Sequence, residues 1–239
     1  MTPSLPAPGR ITLFAGHYGS GKTNVALNFA RRLKREGGRV TVADLDIVNP
    51  YFRTKDSAAQ LAAEGIELVV SDYANSNVDF PALPKEIYAV VAGDDATGTS
   101  RPHVVIDVGG DDRGALALGR YVDDIKAGGD YAMLGVINAS RPLTRTPADT
   151  VAVLREIEVA GRLPFTGLVN NTNLGPDTKV ENVLDSRAYA DEVARLMGIP
   201  VAFVACRADI APELSAKMPD LPVLPIEIQV LCYQTSFLI

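Results

Sequence analysis

The segment Gly16-His17-Tyr18-Gly19-Ser20-Gly21-Lys22-Thr23 constrains this chain more than any other. It fits G-x-x-x-x-G-K-[ST], a loop whose glycines let successive backbone N–H groups turn toward one anion. Side chains bearing a Cβ would hinder that approach. In such a loop Lys22 reaches the β- and γ-phosphates of a nucleoside triphosphate, and the Thr23 hydroxyl is placed to ligate Mg²⁺. The flanks agree. Residues 10–15 read as a short buried strand, and residues 24–37 as a helix carrying Val25, Ala26, Phe29, Ala30 and Leu33 on one face. A helix N-terminus then faces the phosphates, where unsatisfied N–H groups and the helix dipole favour negative charge. Asn24, in the first turn, joins Gly16 to Thr23 as an expected nucleotide-binding residue.

Beyond the loop, strand and helix patterns alternate. Strands are expected at 39–44, 66–71, 103–107, 130–138, 165–170 and 200–205, with a further one at 223–229. Helices are expected at 54–64, 85–92, 112–127, 146–160 and 186–197, with Thr146 as N-cap and Pro147 in the first helical position. This order implies an α/β fold: a mainly parallel twisted sheet with helices on both faces, in three layers. No Gly/Ser/Pro-rich linker divides the chain. Residues 1–9 read as a flexible arm and 10–239 as a single nucleotide-binding domain.

Composition excludes several roles. Among 239 residues 47% are apolar and 22% charged, which suits a soluble protein with a real core. A net charge of −6 opposes non-specific nucleic-acid binding, which needs clustered cations. No apolar run reaches membrane-spanning length, and the first residues lack the apolar core of a signal peptide. Two distant cysteines, Cys206 and Cys232, make no disulfide framework, so a cytoplasmic protein is expected.

In open α/β sheets ligands bind beyond the carboxyl ends of the strands. The polar residues there form a set: Lys22 and Thr23, Asp44 and Asp46, Asp107, then Asn170 and Asn171. Asp107 ends a hydrophobic strand and suits a carboxylate that anchors Mg²⁺ directly or through water. Gly109 and Gly110 behind it allow backbone N–H groups to approach a γ-phosphate. Of Asp44 and Asp46, one could orient the attacking water, while the other binds the metal's hydration shell or braces the loop. Asn173 stands where the guanine-reading pattern N-K-x-D places a carboxylate; an amide offers one acceptor oxygen instead of two, which favours adenine. The same asparagines are also suited to holding a turn. Arg113, Arg120, Arg141 and Arg145 are all available to neutralise phosphate charge, and spacing does not choose among them.

The glycine loop, Asp44-Leu45-Asp46, Val105-Ile106-Asp107-Val108-Gly109-Gly110 and Gly167-Leu168-Val169-Asn170 together resemble the MinD/ParA/CobQ (SIMIBI) group of P-loop ATPases over residues 10–205. Asp46-Ile-Val-Asn-Pro-Tyr-Phe-Arg53 and Asp107-Val-Gly-Gly-Asp-Asp112 narrow the resemblance to a bacterial subgroup described as ATP-binding proteins. The resemblance implies ATP and Mg²⁺, Asp46 as the water-positioning residue and a metal neighbour, and Asn170 as an adenine contact. It also implies dimers that switch a partner. His17 departs from the pattern, because the family carries a second lysine there that crosses to the other subunit's ATP. A homodimer therefore stays open. The C-x-x-C of a bridging cluster and a basic membrane-targeting tail are both lacking, so neither nucleic acid nor membrane is an expected partner. The expected function is a Mg²⁺-dependent ATPase acting as a switch on a protein partner, in metallocenter or cofactor maturation. The alternatives are a small-molecule kinase or ATP-dependent ligase of the dethiobiotin-synthetase kind, and a nucleotide-gated binding module that scarcely turns over.

Overall fold

The computed structural model describes residues 3–45, 58–70, 88, 90–91, 101–110 and 112–228. Among these residues eight strands form one sheet in the order β3-β2-β4-β1-β5-β6-β7-β8. They are β1 (Ile11–Ala15), β2 (Val40–Asp44), β3 (Glu67–Val70), β4 (His103–Asp107), β5 (Tyr131–Ile137), β6 (Gly167–Asn170), β7 (Val201–Arg207) and β8 (Val223–Ile226). Every pairing is parallel. All strand carboxyl ends therefore lie on one rim, and the chain order reverses beside β1, where a crevice opens between outward-running connections.

Alternation along the strands builds a core on each face. Ile11, Leu13 and Ala15 of β1 point to one side, where they pack with Leu118, Ile125, Leu154, Ile157 and Val193. Those residues belong to, or flank, α3 (Asp112–Leu118), α4 (Val122–Ala127), α5 (Pro147–Gly161) and α7 (Arg187–Met197). Phe14 points to the other side and meets Val25, Phe29 and Leu33 of α1 (Lys22–Arg35) and Leu61 of α2 (Ala58–Ala63). There the Phe14 and Phe29 rings meet edge-on at 5.3 Å, and Phe29 stacks on Phe203 at 6.0 Å. A third cluster, Val180, Val183, Val204, Cys206 and Leu214, closes the β7–β8 edge beneath α6 (Val180–Asp185) and α8 (Ala211–Lys217). Burial pushes the Cys206 thiol up to about 12, so it behaves as a small core hydrophobe.

The expected three-layer α/β architecture is the one observed, with three local differences. The helix expected over 112–127 is two, because after Gly119 the backbone tightens, with the Arg120 and Tyr121 N–H groups donating three residues back to the Ala117 and Leu118 carbonyls. A Cβ on Gly119 would lie 3.3 Å from the Ala160 carbonyl oxygen, so the break lets α5 approach closely. The short helices α6 and α8 were not anticipated. The strand expected over 223–229 ends at Ile226. The Thr146 cap is confirmed, its hydroxyl accepting from the Asp149 N–H at 3.2 Å. Of the residues 1–9 expected to form an arm, Leu5 packs against the α1-side core. The loops expected at 47–53 and 72–81, the first residues of the helix expected at 54–64 and most of the helix expected at 85–92 lie outside the described residues. No helix among the described residues is long and apolar enough to cross a membrane.

Candidate functional site

Strand β1 ends at Ala15, and the chain turns at once into the glycine loop that leads to α1. The turn is set by the backbone. Ser20 N–H donates to the His17 carbonyl at 3.1 Å, and Gly21 takes φ 89° as the residue before the helix. A Cβ on Gly16 would strike the Val136 carbonyl oxygen, and one on Gly21 would strike Asn171 Nδ2. The first turn of α1 contains no acidic residue of its own. Lys22 is 7% exposed, and its ammonium lies 3.3 Å from the His17 carbonyl, curled back over the loop.

Register explains how the carboxylates arrive. Asp44 pairs directly with Asp107 across β2 and β4. Both stand two residues beyond a side chain, Val42 or Val105, that packs on the α1 face. Alternation therefore aims both carboxylates at the start of α1. There Thr23 Oγ1 donates to Asp107 Oδ2 at 2.6 Å. Asp107 is 1% exposed and Asp44 6%. Past β4 the Gly109–Gly110 turn closes on the loop. A Cβ at Gly110 would stand 2.7 Å from Lys22 Nζ and 2.8 Å from the Tyr18 amide nitrogen. Gly114 of α3 backs this turn so closely that its own Cβ would collide with the Gly109 backbone.

The loop is held from the far side by the β5 and β6 ends. Asn171 Nδ2 donates to the Ser20 carbonyl at 2.7 Å, and Arg141 Nε donates to the Gly19 carbonyl at 2.8 Å. Among the described side chains of the four candidate arginines, Arg141 is the one that meets the loop. Arg120 and Arg145 are exposed, and the Arg113 side chain lies outside the described residues. Spacing could not have singled Arg141 out, because its position depends on the turn after β5. That turn is fixed by buried Asn138, whose Oδ1 accepts from the Ser140 N–H at 2.9 Å and whose carbonyl accepts from Thr144 at 2.9 Å. Sequence reasoning missed Asn138; its only signal was a polar residue closing an apolar strand.

Asn170 and Asn171 reach the same rim and are committed to it. Asn170 Oδ1 accepts from the Thr172 N–H and hydroxyl at 3.1 and 2.8 Å, and its Nδ2 donates to Ser186 at 2.8 Å. Asn173 Nδ2 donates to the Asn171 carbonyl at 2.7 Å, and its Oδ1 accepts from Gly175 N–H at 3.1 Å. These amides shape the turn, which is one of the two roles open to them from sequence. His17 is half-buried at the lip with Nδ1 2.8 Å from the Tyr18 carbonyl, so the tautomer carrying Nδ1–H donates there. The Tyr18 ring is 54% exposed beside it. Asn24 lies in the first turn of α1, its carbonyl accepting from Asn28. Asp46 lies outside the described residues.

The chemistry of this rim fits a phosphate group with a hard cation. The Ser20 hydroxyl is buried in the loop with no hydrogen-bond partner among the described residues, an open polar position in the cradle. Thr23 and Asp107 supply two hard oxygens side by side. No group of three His, Cys, Asp or Glu residues placed to hold a metal ion by themselves occurs among the described residues. Mg²⁺ suits that arrangement, because it keeps several waters and takes its remaining ligands from one or two protein oxygens and the phosphates.

No protein-family model matches the sequence, and no curated protein does. Solved structures do match. FtsY from Mycoplasma mycoides is 15% identical with a TM-score of 0.51, and the alignment covers 84% of this chain and 62% of that one. The signal recognition particle 54 kDa protein from Aeropyrum pernix, in complex with GDP, is 15% identical at a TM-score of 0.53 over 84% of this chain and 42% of that one. Chloroplast FtsY from Physcomitrella patens is 18% identical at 0.53, over 84% and 59%. The chain thus spans less than two thirds of the length of these structures. At such identities the likeness concerns the fold alone, a parallel α/β sheet with helices on both faces.

Proposed function

We propose that the chain is a Mg²⁺-dependent ATP-binding protein and slow ATPase of the MinD/ParA/CobQ kind, acting as a nucleotide switch on a protein partner in metallocenter or cofactor maturation. The observation that carries the reading is the 2.6 Å contact between Thr23 and Asp107 beside a buried Lys22 at the helix N-terminus. By donating its proton to Asp107, Thr23 leaves its oxygen lone pairs to a cation, and Asp107 balances the charge. Magnesium, when bound, offsets charge on the β- and γ-phosphate oxygens. Lys22 supplies a fixed positive charge to the same oxygens, and the loop N–H groups orient the chain of phosphates. The Gly109–Gly110 turn, in contact with Lys22 and the Tyr18 amide, is the element that would register a γ-phosphate and relax when it is lost.

Asp46 is assigned to the attacking water and Asp44, one strand away from Asp107, to the hydration shell or the loop. Hydrolysis of this kind rests mainly on positioning, so a carboxylate of ordinary basicity suffices. As an expected outcome, Asp46→Ala retains ATP affinity while single-turnover phosphate release falls by about 100-fold, the loss typical of a positioned catalytic group. Normal hydrolysis by that variant would transfer the role to Asp44.

Adenine is favoured because Asn173 presents an amide, with its one oxygen already accepting from Gly175, where guanine reading needs a carboxylate. Guanine is the second reading, since structures of similar fold hold GDP. Competition between ATP and GTP for a fluorescent nucleotide decides between them, and phosphate release with and without cell extract tests the switch. Release stimulated by a macromolecular fraction supports a protein partner. Phosphate appearing on a dialysable metabolite would identify a kinase instead.

A further inference from the structure

A second cationic cleft lies on the α1 side of the sheet, away from the glycine loop. It is a cavity of about 380 Å³ lined by Asn28, Arg31, Lys34, Arg35, Glu64 and Glu227. Its floor is Arg31, whose side chain is 8% exposed. Arg31 Nε donates to Glu64 Oε2 at 2.7 Å, but Nη1 and Nη2 have no hydrogen-bond partner among the described residues. A buried guanidinium that leaves two nitrogens unpaired carries a desolvation cost that an oxyanion would offset. Its end-on edge is the fork that matches a carboxylate or phosphate bidentately.

The surroundings favour the same occupant. Lys34 and Arg35 add two cations, against the carboxylates of Glu64 and Glu227, so the cleft is net positive on a chain whose net charge is −6. Asn28 fixes the far wall: its Nδ2 donates to the Glu227 carbonyl at 2.9 Å and its Oδ1 accepts from the Glu227 N–H at 3.0 Å. Arg31 follows Lys22 by nine residues on one helix, roughly 13 Å at the α-helical rise, so the cleft is separate from the phosphate loop. We infer that the cleft between α1, α2 and the end of β8 binds a small oxyanion, a phosphate or carboxylate group, held by the free edge of Arg31 with Lys34 and Arg35 at its mouth.

Calorimetric titration of inorganic phosphate and, separately, of malonate tests this on the Lys22→Ala variant, in which the loop is impaired. The two arms distinguish a phosphate from a carboxylate ligand. Saturable binding of one anion with unit stoichiometry is expected, weakened about tenfold or more by Arg35→Gln, a change of about 1.4 kcal/mol. Arg31→Gln should abolish it. Because Arg31→Gln also removes the partner of Glu64, the variants at exposed Arg35 and half-buried Lys34, Arg35→Gln and Lys34→Gln, carry the decision if that protein does not fold. Absence of binding for both anions at about 10 mM, roughly tenfold above a 1 mM dissociation constant, overturns the inference. So does binding that both Arg35→Gln and Lys34→Gln leave unchanged.

Discussion

Replacing Lys22 with alanine is expected to weaken ATP binding by about 100-fold or more, the scale seen when one partner of a desolvated charge pair is removed. The expectation rests on position as much as on type. Lys22 is 7% exposed, follows a glycine held at φ 89°, and folds its ammonium back over the loop to within 3.3 Å of the His17 carbonyl. No acidic residue belongs to the first turn of α1. The charge stands at a helix N-terminus, whose N–H groups favour an anion as well, so a small loss of geometry also matters. Equilibrium titration with a fluorescent ATP analogue measures the effect, and a thermal unfolding scan checks that the fold is intact. Unchanged affinity in a folded variant would remove the loop from the account.

Gly110→Ala is expected to affect turnover more than binding. The added Cβ would lie 2.7 Å from Lys22 Nζ and 2.8 Å from the Tyr18 nitrogen. The lysine tip can move aside; the Tyr18 backbone, locked into the loop, cannot. The turn must retreat from the place assigned to the γ-phosphate, while the β-phosphate cradle formed by residues 16–23 stays in place. Single-turnover hydrolysis should drop by about 100-fold, the range measured when one preorganised donor is lost, with ADP affinity nearly unchanged. Equal loss of ATP and ADP binding would mean that the substitution damages the loop itself rather than the sensor.

The parts that were legible in the sequence are those fixed by local rules. The glycine loop needs its residue types in order, and Asp107 follows an unbroken apolar strand. Simple alternation from Val105 then brings its carboxylate to Thr23. The fold followed from the same two-residue and helical periodicities. What was not legible depends on contacts between distant segments. Arg141 stood among four equivalent arginines until the turn after β5, built on Asn138 and Thr144, delivered it to Gly19. The contact of the Asn171 amide with the Ser20 carbonyl likewise joins segments far apart in sequence. The break at Gly119 and the short helices α6 and α8 escaped because six or seven residues carry too little periodicity, and burial in the β7–β8 edge cluster selects their conformation. Arg31 is one of four basic residues, with Arg32, Lys34 and Arg35, toward the end of α1, where the helix dipole by itself favours cations. Its burial became evident only once α2 and β8 were in place.

The central claim is that Lys22, Thr23 and Asp107 gather about one magnesium-bound triphosphate. Calorimetry of ATP binding to the wild-type protein and to Thr23→Ala, each with excess Mg²⁺ and with EDTA, addresses it most directly. The wild-type protein should bind ATP about tenfold or more tightly with Mg²⁺ than without, and Thr23→Ala should lose that difference, since one protein oxygen of a metal that takes only one or two is gone. A wild-type protein that binds no nucleotide, or a Thr23→Ala protein that keeps the full magnesium dependence, would contradict it.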